Sequence, residues 1–130
     1  MSHFTIIKTK LKESEHLIEA LEELGHTVQE NKVLVVNGSH AQNHPTVNAE
    51  IAITNDIGFK WNNETKSYEL VAELDTWDLD VPVNRFIEKV TQQYARMALH
   101  NTVKEEGFEV AEEWEMTDNS IELTVTRWVN

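Results

Sequence analysis

Hydrophobic residues recur at three- and four-residue spacing in two stretches of the chain, which predicts two amphipathic helices. The shorter predicted helix spans residues 13–24 and the longer one spans residues 82–106. Gly25 and Gly107 follow these stretches, and glycine commonly ends a helix because it adopts a left-handed conformation easily. The predicted apolar stripes consist of Leu17, Ala20, Leu21 and Leu24 in the first helix and of Val83, Phe86, Ile87, Val90, Tyr94, Met97 and Ala98 in the second.

The start of the long helix is also marked in the sequence. Pro82 suits the first helical turn because it has no N–H group to leave unpaired. Asp80, just before it, is suited to capping free N–H groups there. We therefore expect the helix to begin close to Pro82.

Short apolar or alternating segments elsewhere predict β-strands joined by polar turns. The segment at residues 4–8 is apolar on both faces near its middle, which predicts an interior strand. Val28 and residues 33–36 predict a hairpin that turns at residues 30–32, and the unbroken apolar run at 33–36 indicates a segment buried on both sides. Further strands at residues 47–54, 59–61 and 68–72 continue this as an antiparallel meander, and strands at 108–114 and 121–128 close the chain.

Two helices and a mainly antiparallel sheet fit one arrangement well, in which both helices pack on the same face of the sheet. No linker rich in proline, glycine or serine divides the 130 residues. The sequence therefore predicts one α+β domain over residues 1–130.

The long helix departs from a simple amphipathic pattern near its end. Asn101 falls in the centre of the apolar stripe, whereas Leu99 and Val103 fall on the opposite side. Either other parts of this chain cover these two apolar residues, or they contact another molecule.

Glu112 interrupts an apolar strand face between Val110 and Trp114. A β-bulge would rotate its carboxylate to solvent, whereas a buried carboxylate would need a partner such as Arg96 or His100. Because burying an unpaired charge is costly, we expect the bulge.

Trp77 lies in an acidic loop ahead of the long helix. Such a side chain either folds back over the sheet as a lid or stays exposed as an anchor for a partner. Because tryptophan is mostly buried in proteins, the lid is the expectation.

Composition removes several classes of function. The chain has no cysteine, which excludes disulfides, thiolate nucleophiles and cysteine-ligated metals. Its formal charge of −12 repels phosphate backbones, so we expect no nucleic-acid partner. No apolar run approaches the roughly 20 residues of a membrane span, and no signal peptide is recognisable. We expect an intracellular protein without a membrane partner.

The sequence gives only weak evidence for a metal site. His40 and His44 have a metal-binding spacing only on a helix, and the glycine and proline around them oppose a helix. Asp75, Asp78 and Asp80 lack the pattern of a calcium loop. The sequence has no glycine-rich phosphate loop and no nucleophile elbow. We therefore predict no metal, no cofactor and no catalytic residues.

Eight segments spread over nearly the whole chain together form a more specific pattern than any single motif. They are Met1-Ser2-His3-Phe4, Ile7-Lys8-Thr9, Leu21-Glu22-Glu23-Leu24-Gly25, Asp56-Ile57-Gly58-Phe59, Tyr68-Glu69-Leu70-Val71-Ala72, Val90-Thr91-Gln92-Gln93-Tyr94-Ala95, Gly107-Phe108-Glu109-Val110-Ala111 and Thr126-Arg127-Trp128. These segments resemble the hypothetical chloroplast reading-frame family that plastids share with cyanobacteria. The polar matches without an obvious structural role are His3, Gln92, Gln93 and Arg127. The resemblance implies a protein of unknown function in a cyanobacterium-like cytoplasm, a plastid stroma or a phage of such a host, with an accessory role near photosynthesis.

Two hypotheses of function follow. The first is a non-enzymatic accessory or adaptor protein that binds a protein partner through a sheet edge or through the Leu99 and Val103 face; assembly with further copies of the chain stays open. The alternative is a small-molecule-binding module or enzyme with a pocket between the sheet and the Trp77 loop, with His3, Tyr94, His100 or Arg127 as polar contacts. The candidate contact residues are His3, Trp77, Leu99, His100, Val103 and Arg127.

Overall fold

The computed structural model describes residues 3–35, 45–118 and 120–127. It contains two α-helices, seven strands and one short 3-10 helix in these ranges. In chain order they are β1 Thr5–Lys8, α1 Ser14–Glu23, β2 Gln29–Val35, β3 Thr46–Ala52, β4 Ile57–Asn62, β5 Ser67–Ala72, the 3-10 helix Leu74–Thr76, α2 Val83–Glu105, β6 Phe108–Glu115 and β7 Ile121–Arg127.

Five of the strands form an antiparallel sheet in the order β1-β5-β4-β3-β2, and β6 pairs with β7 in a separate hairpin. Strands β2 to β5 therefore form the predicted meander. The prediction of an interior first strand is wrong. β1 pairs with β5 at one edge of the sheet, and Ile6 is 57% exposed there.

The main core lies between the helices and one face of the five-stranded sheet. Leu17 and Leu21 of α1 and Phe86 and Val90 of α2 pack with sheet residues on that face, which confirms the α+β arrangement with both helices on one side. Register places the sheet residues on a common face, since Ile51 pairs with Phe59 and Phe59 pairs with Leu70. They are Ile51, Ile57, Phe59, Tyr68, Leu70 and Ala72.

A smaller core covers the opposite face, because the hairpin β2–β3 curls back over it. The Val35 N–H donates to the Asn55 carbonyl at 2.9 Å, which holds the far end of β2 against the β3–β4 turn. Leu34 and Ala49 are thereby buried over Gly58, together with Ala52 and Val71.

The predicted hairpin within residues 28–36 is also wrong. One continuous strand, β2, crosses residues 30–32 and pairs with β3 on both sides of Asn31, which has a φ of 54°. Burial on both sides does not occur either, since Leu34 is buried while Val33 and Val35 are exposed. Val36 lies outside the described residues.

The glycines predicted the C-terminal ends of the helices correctly, whereas the capping residue predicted for the start of α2 does not cap it. Gly25 and Gly107 have φ values of 95° and 85°, as expected for residues that end helices. Pro82 is the N-cap of α2, one position before the first helical turn, and no side chain caps this end. The prediction that Asp80 caps α2 is therefore wrong.

Polar contacts join the two helices beside the main core. The Tyr94 hydroxyl accepts the backbone N–H groups of Lys12 and Glu13 at 3.2 and 2.9 Å, just ahead of α1. Asn101 Nδ2 lies 3.3 Å from His16 Nδ1 on α1. Asn101 is polar in an otherwise apolar stripe because it faces this histidine.

Candidate functional site

The second half of α2 and the hairpin β6–β7 form an arm, residues 91–127, that adds almost nothing to the buried cores. Every buried residue in the described ranges lies between Leu11 and Val90. Large apolar side chains of the arm stay at its surface instead. Trp114 is 47% exposed, Met116 38% and Leu99 37%.

The hairpin has two different faces, which the strand register defines. Its inner face carries the pairs Phe108 with Arg127, Val110 with Val125, Glu113 with Leu123, and Glu115 with Ile121. Its outer face carries the pairs Glu109 with Thr126, Glu112 with Thr124, and Trp114 with Glu122. All six outer-face residues are exposed.

A β-bulge at Ala111 sets this division. The register shifts between Val110 and Glu112, and Glu112 is exposed, so the predicted bulge is confirmed. An extra residue in one strand reverses the alternation beyond it. Val110 therefore points to the inner face and Trp114 to the outer face.

The inner face is held against α2 by a three-residue ion cluster. Arg96 Nε lies 2.8 and 2.9 Å from the two Glu113 carboxylate oxygens, and His100 Nε2 lies 2.7 Å from Oε1. Desolvation alone would raise the pKa of Glu113, but the hydrogen bonds and charges of His100 and Arg96 hold that pKa below its usual value. Glu113, not Glu112, is thus the carboxylate that pairs with Arg96 and His100.

The candidate contact residues from the sequence divide between the arm and two distant places. Four belong to the arm. Leu99 is exposed, and His100 binds Glu113. Val103 lines a groove with Phe108 and Val110, and the Arg127 guanidinium lies 4.9 Å from the Phe108 ring centre. His3 is exposed ahead of β1, and Trp77 lies beside Phe86. The structure therefore does not join all six in one site.

Trp77 is half-buried and folds back against the main core at the start of α2. The lid prediction described a cover over the sheet, and the ring contact that the structure gives is with Phe86 of α2. The Trp77 indole N–H donates to the Val81 carbonyl at 2.8 Å, and its ring meets the Phe86 ring edge-on at 5.5 Å.

A cavity of about 230 Å³ lies next to the Trp77 loop. Its lining does not include His3, Tyr94, His100 or Arg127, the polar contacts expected from the sequence. Burial lowers the pKa of His26, one of its lining residues. The lining comprises Leu24, His26, Asp78, Leu79, Asp80, Val81, Phe86 and Lys89.

The acidic loop has a structural role at Glu73. Its side chain is buried, and Oε1 accepts the Asp75 N–H at 2.9 Å, which caps the 3-10 helix. Asp75, Asp78 and Asp80 are exposed. Within the described ranges, no group of three or more histidine, aspartate or glutamate side chains is placed to hold a metal ion.

Neither the His40 and His44 pair nor a membrane-spanning helix is seen in the described part of the chain. His40 and His44 lie outside the described residues. Over the part of the chain that the structure describes, no helix combines the length and apolar character that crossing a bilayer requires.

Sequence reasoning missed Trp114 as an exposed residue. Strict alternation placed it on the same face as Val110, an apolar face typical of a core strand. The signal was Glu112 itself, because the bulge that explains its exposure also moves Trp114 to the outer face. The bulge that turns Glu112 outward also reverses the orientation of every later residue of β6.

A family model described as protein of unknown function (DUF1257) matches residues 20–124. The chain belongs to this family. No solved structure matches it at a significant level.

Curated relatives are named uncharacterized protein ycf35, a hypothetical chloroplast reading frame, which confirms the resemblance seen in the sequence. The relative from Pyropia yezoensis is 34% identical over 128 residues, and the one from Guillardia theta is 36% identical over 132 residues. A third, from Cyanophora paradoxa, is 32% identical over 128 residues. Each alignment covers 98% of this chain and 98% of the relative.

Proposed function

We propose that the protein is a non-enzymatic accessory protein that binds another protein through the arm. One observation carries the proposal. The arm forms regular helix and hairpin, yet none of its described side chains is buried. A two-stranded hairpin is marginally stable by itself in water, and exposed apolar side chains of this size are typical of interaction surfaces.

The setting we propose is a plastid stroma or a cyanobacterium-like cytoplasm, with a role related to photosynthesis. The names of the relatives and the plastid-bearing organisms that carry them support this setting. Nothing in the geometry of the described residues calls for a catalytic role.

Affinity capture from extracts of a photosynthetic host tests the proposal. We expect the tagged wild-type chain to retain a specific protein, and Trp114→Ser to lose it by about tenfold or more, because exposed tryptophan anchors often dominate binding. Ile6→Ser is the matched control, since it removes an exposed apolar side chain from the sheet edge instead.

Two results would contradict binding through the arm. In one, no protein is enriched with the wild-type chain. In the other, Ile6→Ser abolishes capture while Trp114→Ser retains it, which would move the binding surface to the β1 edge of the sheet.

A small-molecule-binding module is the second candidate, and the cavity beside the Trp77 loop favours it. The cavity combines apolar walls with charged Asp78, Asp80 and Lys89. At about 230 Å³ it is smaller than most ligand pockets, which are about 300–1,000 Å³. Native mass spectrometry of the chain purified from its own host would reveal a retained ligand, and a mass equal to that of the bare chain would count against this candidate.

A further inference from the structure

We propose that the outer face of the hairpin β6–β7 binds a lysine- or arginine-bearing segment of the partner protein. This inference rests on the proposed function and adds the chemistry of the partner. It concerns one surface, the exposed face built around Trp114, Glu112 and Glu122.

The strand register places two carboxylates beside the exposed indole. Glu122 is the direct cross-strand neighbour of Trp114, and Glu112 lies two residues earlier on the same face of β6. Directly opposed residues in an antiparallel pair have Cβ atoms about 4.5–5.5 Å apart. A cation above the Trp114 ring would therefore lie close to the Glu122 carboxylate.

Among the described residues of the hairpin, no basic residue pairs with the carboxylates of this face. Residues 108–127 contain six acidic residues and one basic residue, Arg127. Arg127 belongs to the inner face and lies over the Phe108 ring, and Glu113 is the acidic residue that binds Arg96 and His100. In the described part of the chain, no lysine, arginine or histidine forms an ion pair with Glu109, Glu112 or Glu122.

An aromatic ring next to carboxylates is a suitable receptor for an organic cation. The face of an indole attracts lysine and arginine cations, and tryptophan is the most effective residue for this interaction. Carboxylates add charge-assisted hydrogen bonds, which are stronger than neutral ones. Both features favour the same ligand.

The same charges disfavour the other possible occupants. A second copy of the chain also carries a formal charge of −12, so pairing two outer faces would bring like charges together. A nucleic acid or an acidic peptide would meet the same repulsion. A basic protein segment is therefore the occupant that this face selects.

Residues 14–23 of α1 provide an internal comparison. Glu15, Glu22 and Glu23 are exposed on α1, but that helix contains no tryptophan, tyrosine or phenylalanine. If charge alone governs binding, basic segments should use either surface. If the indole matters, they should prefer the hairpin.

A peptide titration of the full chain tests the inference. The probe is a 12-residue peptide that alternates lysine and arginine with serine, and its control replaces every basic residue by glutamine. The ¹⁵N spectrum of the chain contains one indole signal for each of its four tryptophans, and Trp114→Phe identifies the Trp114 signal. We expect the basic peptide to shift this signal more than the other three, and the glutamine peptide to leave it unchanged.

Paired variants then separate the hairpin from general attraction to an acidic protein. Glu112→Gln combined with Glu122→Gln should weaken peptide binding about five- to tenfold, because two ion pairs beside the indole are lost. Glu22→Gln combined with Glu23→Gln removes the same charge from α1 and should weaken binding less than about twofold.

Four results would overturn the inference. In the first, the two variant pairs weaken binding equally. In the second, the Trp114 signal does not respond to the basic peptide. In the third, the glutamine peptide binds as well as the basic one. In the fourth, the Trp114 signal shifts with protein concentration alone, which would identify a second copy as the occupant.

Failure of this inference is distinguishable from failure of the proposed function. A captured partner that is lost with Trp114→Ser but retained by Glu112→Gln/Glu122→Gln would keep the arm as a protein-binding surface and overturn its preference for basic segments. If no partner is captured while the peptide binds at Trp114, the accessory function fails and the chemistry of this face stands.

Discussion

Gly58 and Gly107 are required for different physical reasons. A Cβ atom at Gly58 would lie 2.7 Å from the Ile51 carbonyl oxygen and 3.0 Å from the Ala49 Cβ, because the hairpin β2–β3 lies directly over it. Nothing lies within 4 Å of a Cβ at Gly107, but its φ of 85° is unfavourable for other residues. One position is limited by space and the other by backbone conformation.

Four substitutions should separate these two requirements. Gly58→Ala should lower the free energy of unfolding by about 1–3 kcal/mol through overpacking, and Gly107→Ala by about 1–2 kcal/mol through backbone strain. Asparagine tolerates the left-handed region, so Gly107→Asn should be milder than Gly107→Ala, whereas Gly58→Asn should be worse than Gly58→Ala. Urea unfolding measures all four, and a rescue by asparagine at position 58 would contradict the steric explanation.

The Tyr94 hydroxyl joins α2 to the segment that leads into α1. Tyr94→Phe should lower the free energy of unfolding by about 1 kcal/mol, because the N–H groups of Lys12 and Glu13 lose their acceptor. Tyr68→Phe is the control, since no hydrogen bond to the Tyr68 hydroxyl occurs within the described residues. Equal losses in the two variants, measured by urea unfolding, would show that the Tyr94 hydroxyl does not stabilise the packing of the helices.

At the scale of elements, attachment of the hairpin to α2 should depend on pH. The folded-state pKa of Glu113 is lowered, so an unfolded or detached hairpin binds more protons in acid. The stabilisation is therefore fully present above the ordinary glutamate pKa of 4.5 and is lost as the pH falls through the lower, folded-state value. Hydrogen exchange of β6 amides should accelerate in that range, after correction for intrinsic rates.

Glu113→Gln supplies the control for this pH dependence. The variant should show faster β6 exchange at neutral pH and little further change on acidification, because the titrating group is gone. Glu115→Gln lies two residues away on the same face and has no ion pair in the described residues, so it should behave like the wild type. A wild-type profile that is unchanged by Glu113→Gln would assign the acid sensitivity to another group.

Elements set by local patterns were predicted well, whereas the edge position of β1 and the exposure of side chains on β2 were not, because they depend on distant partners. Both helices lie within one residue of their predicted bounds at each end, because apolar spacing and the glycines Gly25 and Gly107 are local signals. The edge position of β1 depends on its pairing with β5, more than 60 residues away, and the apolar segment does not encode it. The exposure of Val33 and Val35 likewise depends on which face of β2 the fold covers.

The candidate site was only partly predictable for the same reason. Leu99 and Val103 stood out because they break the helical stripe, and the structure places them in the arm. Trp114 did not stand out, because its exposure depends on a bulge that shifts the phase of the whole strand. The inward packing of Trp77 was predictable, but the residues that line the neighbouring cavity come from three separate segments.

At the scale of the whole molecule, stability and the proposed binding surface are carried by different parts of the chain. The buried residues in the described ranges lie between Leu11 and Val90. Tyr94 and Asn101 link the arm to the α1 region, and within the arm the Glu113 cluster attaches the hairpin to α2. A surface that contributes little to stability can present a tryptophan and several like charges at small cost to the fold. The separation predicts that folding survives removal of the hairpin.

A chain that ends after Gly107 tests this separation. It should unfold cooperatively in urea with a loss of no more than about 2 kcal/mol, because partly exposed ion pairs contribute only about 0–1 kcal/mol and no described side chain of the hairpin is buried. It should also fail to capture the partner. Deletion of residues 1–12 is the control, since it removes β1 and the buried Leu11 and should unfold the main core. If deletion of the hairpin lowers the free energy of unfolding as much as deletion of β1 does, the hairpin is part of the folding unit. Its exposed face would then have to be explained by the stability of the isolated chain as well as by binding.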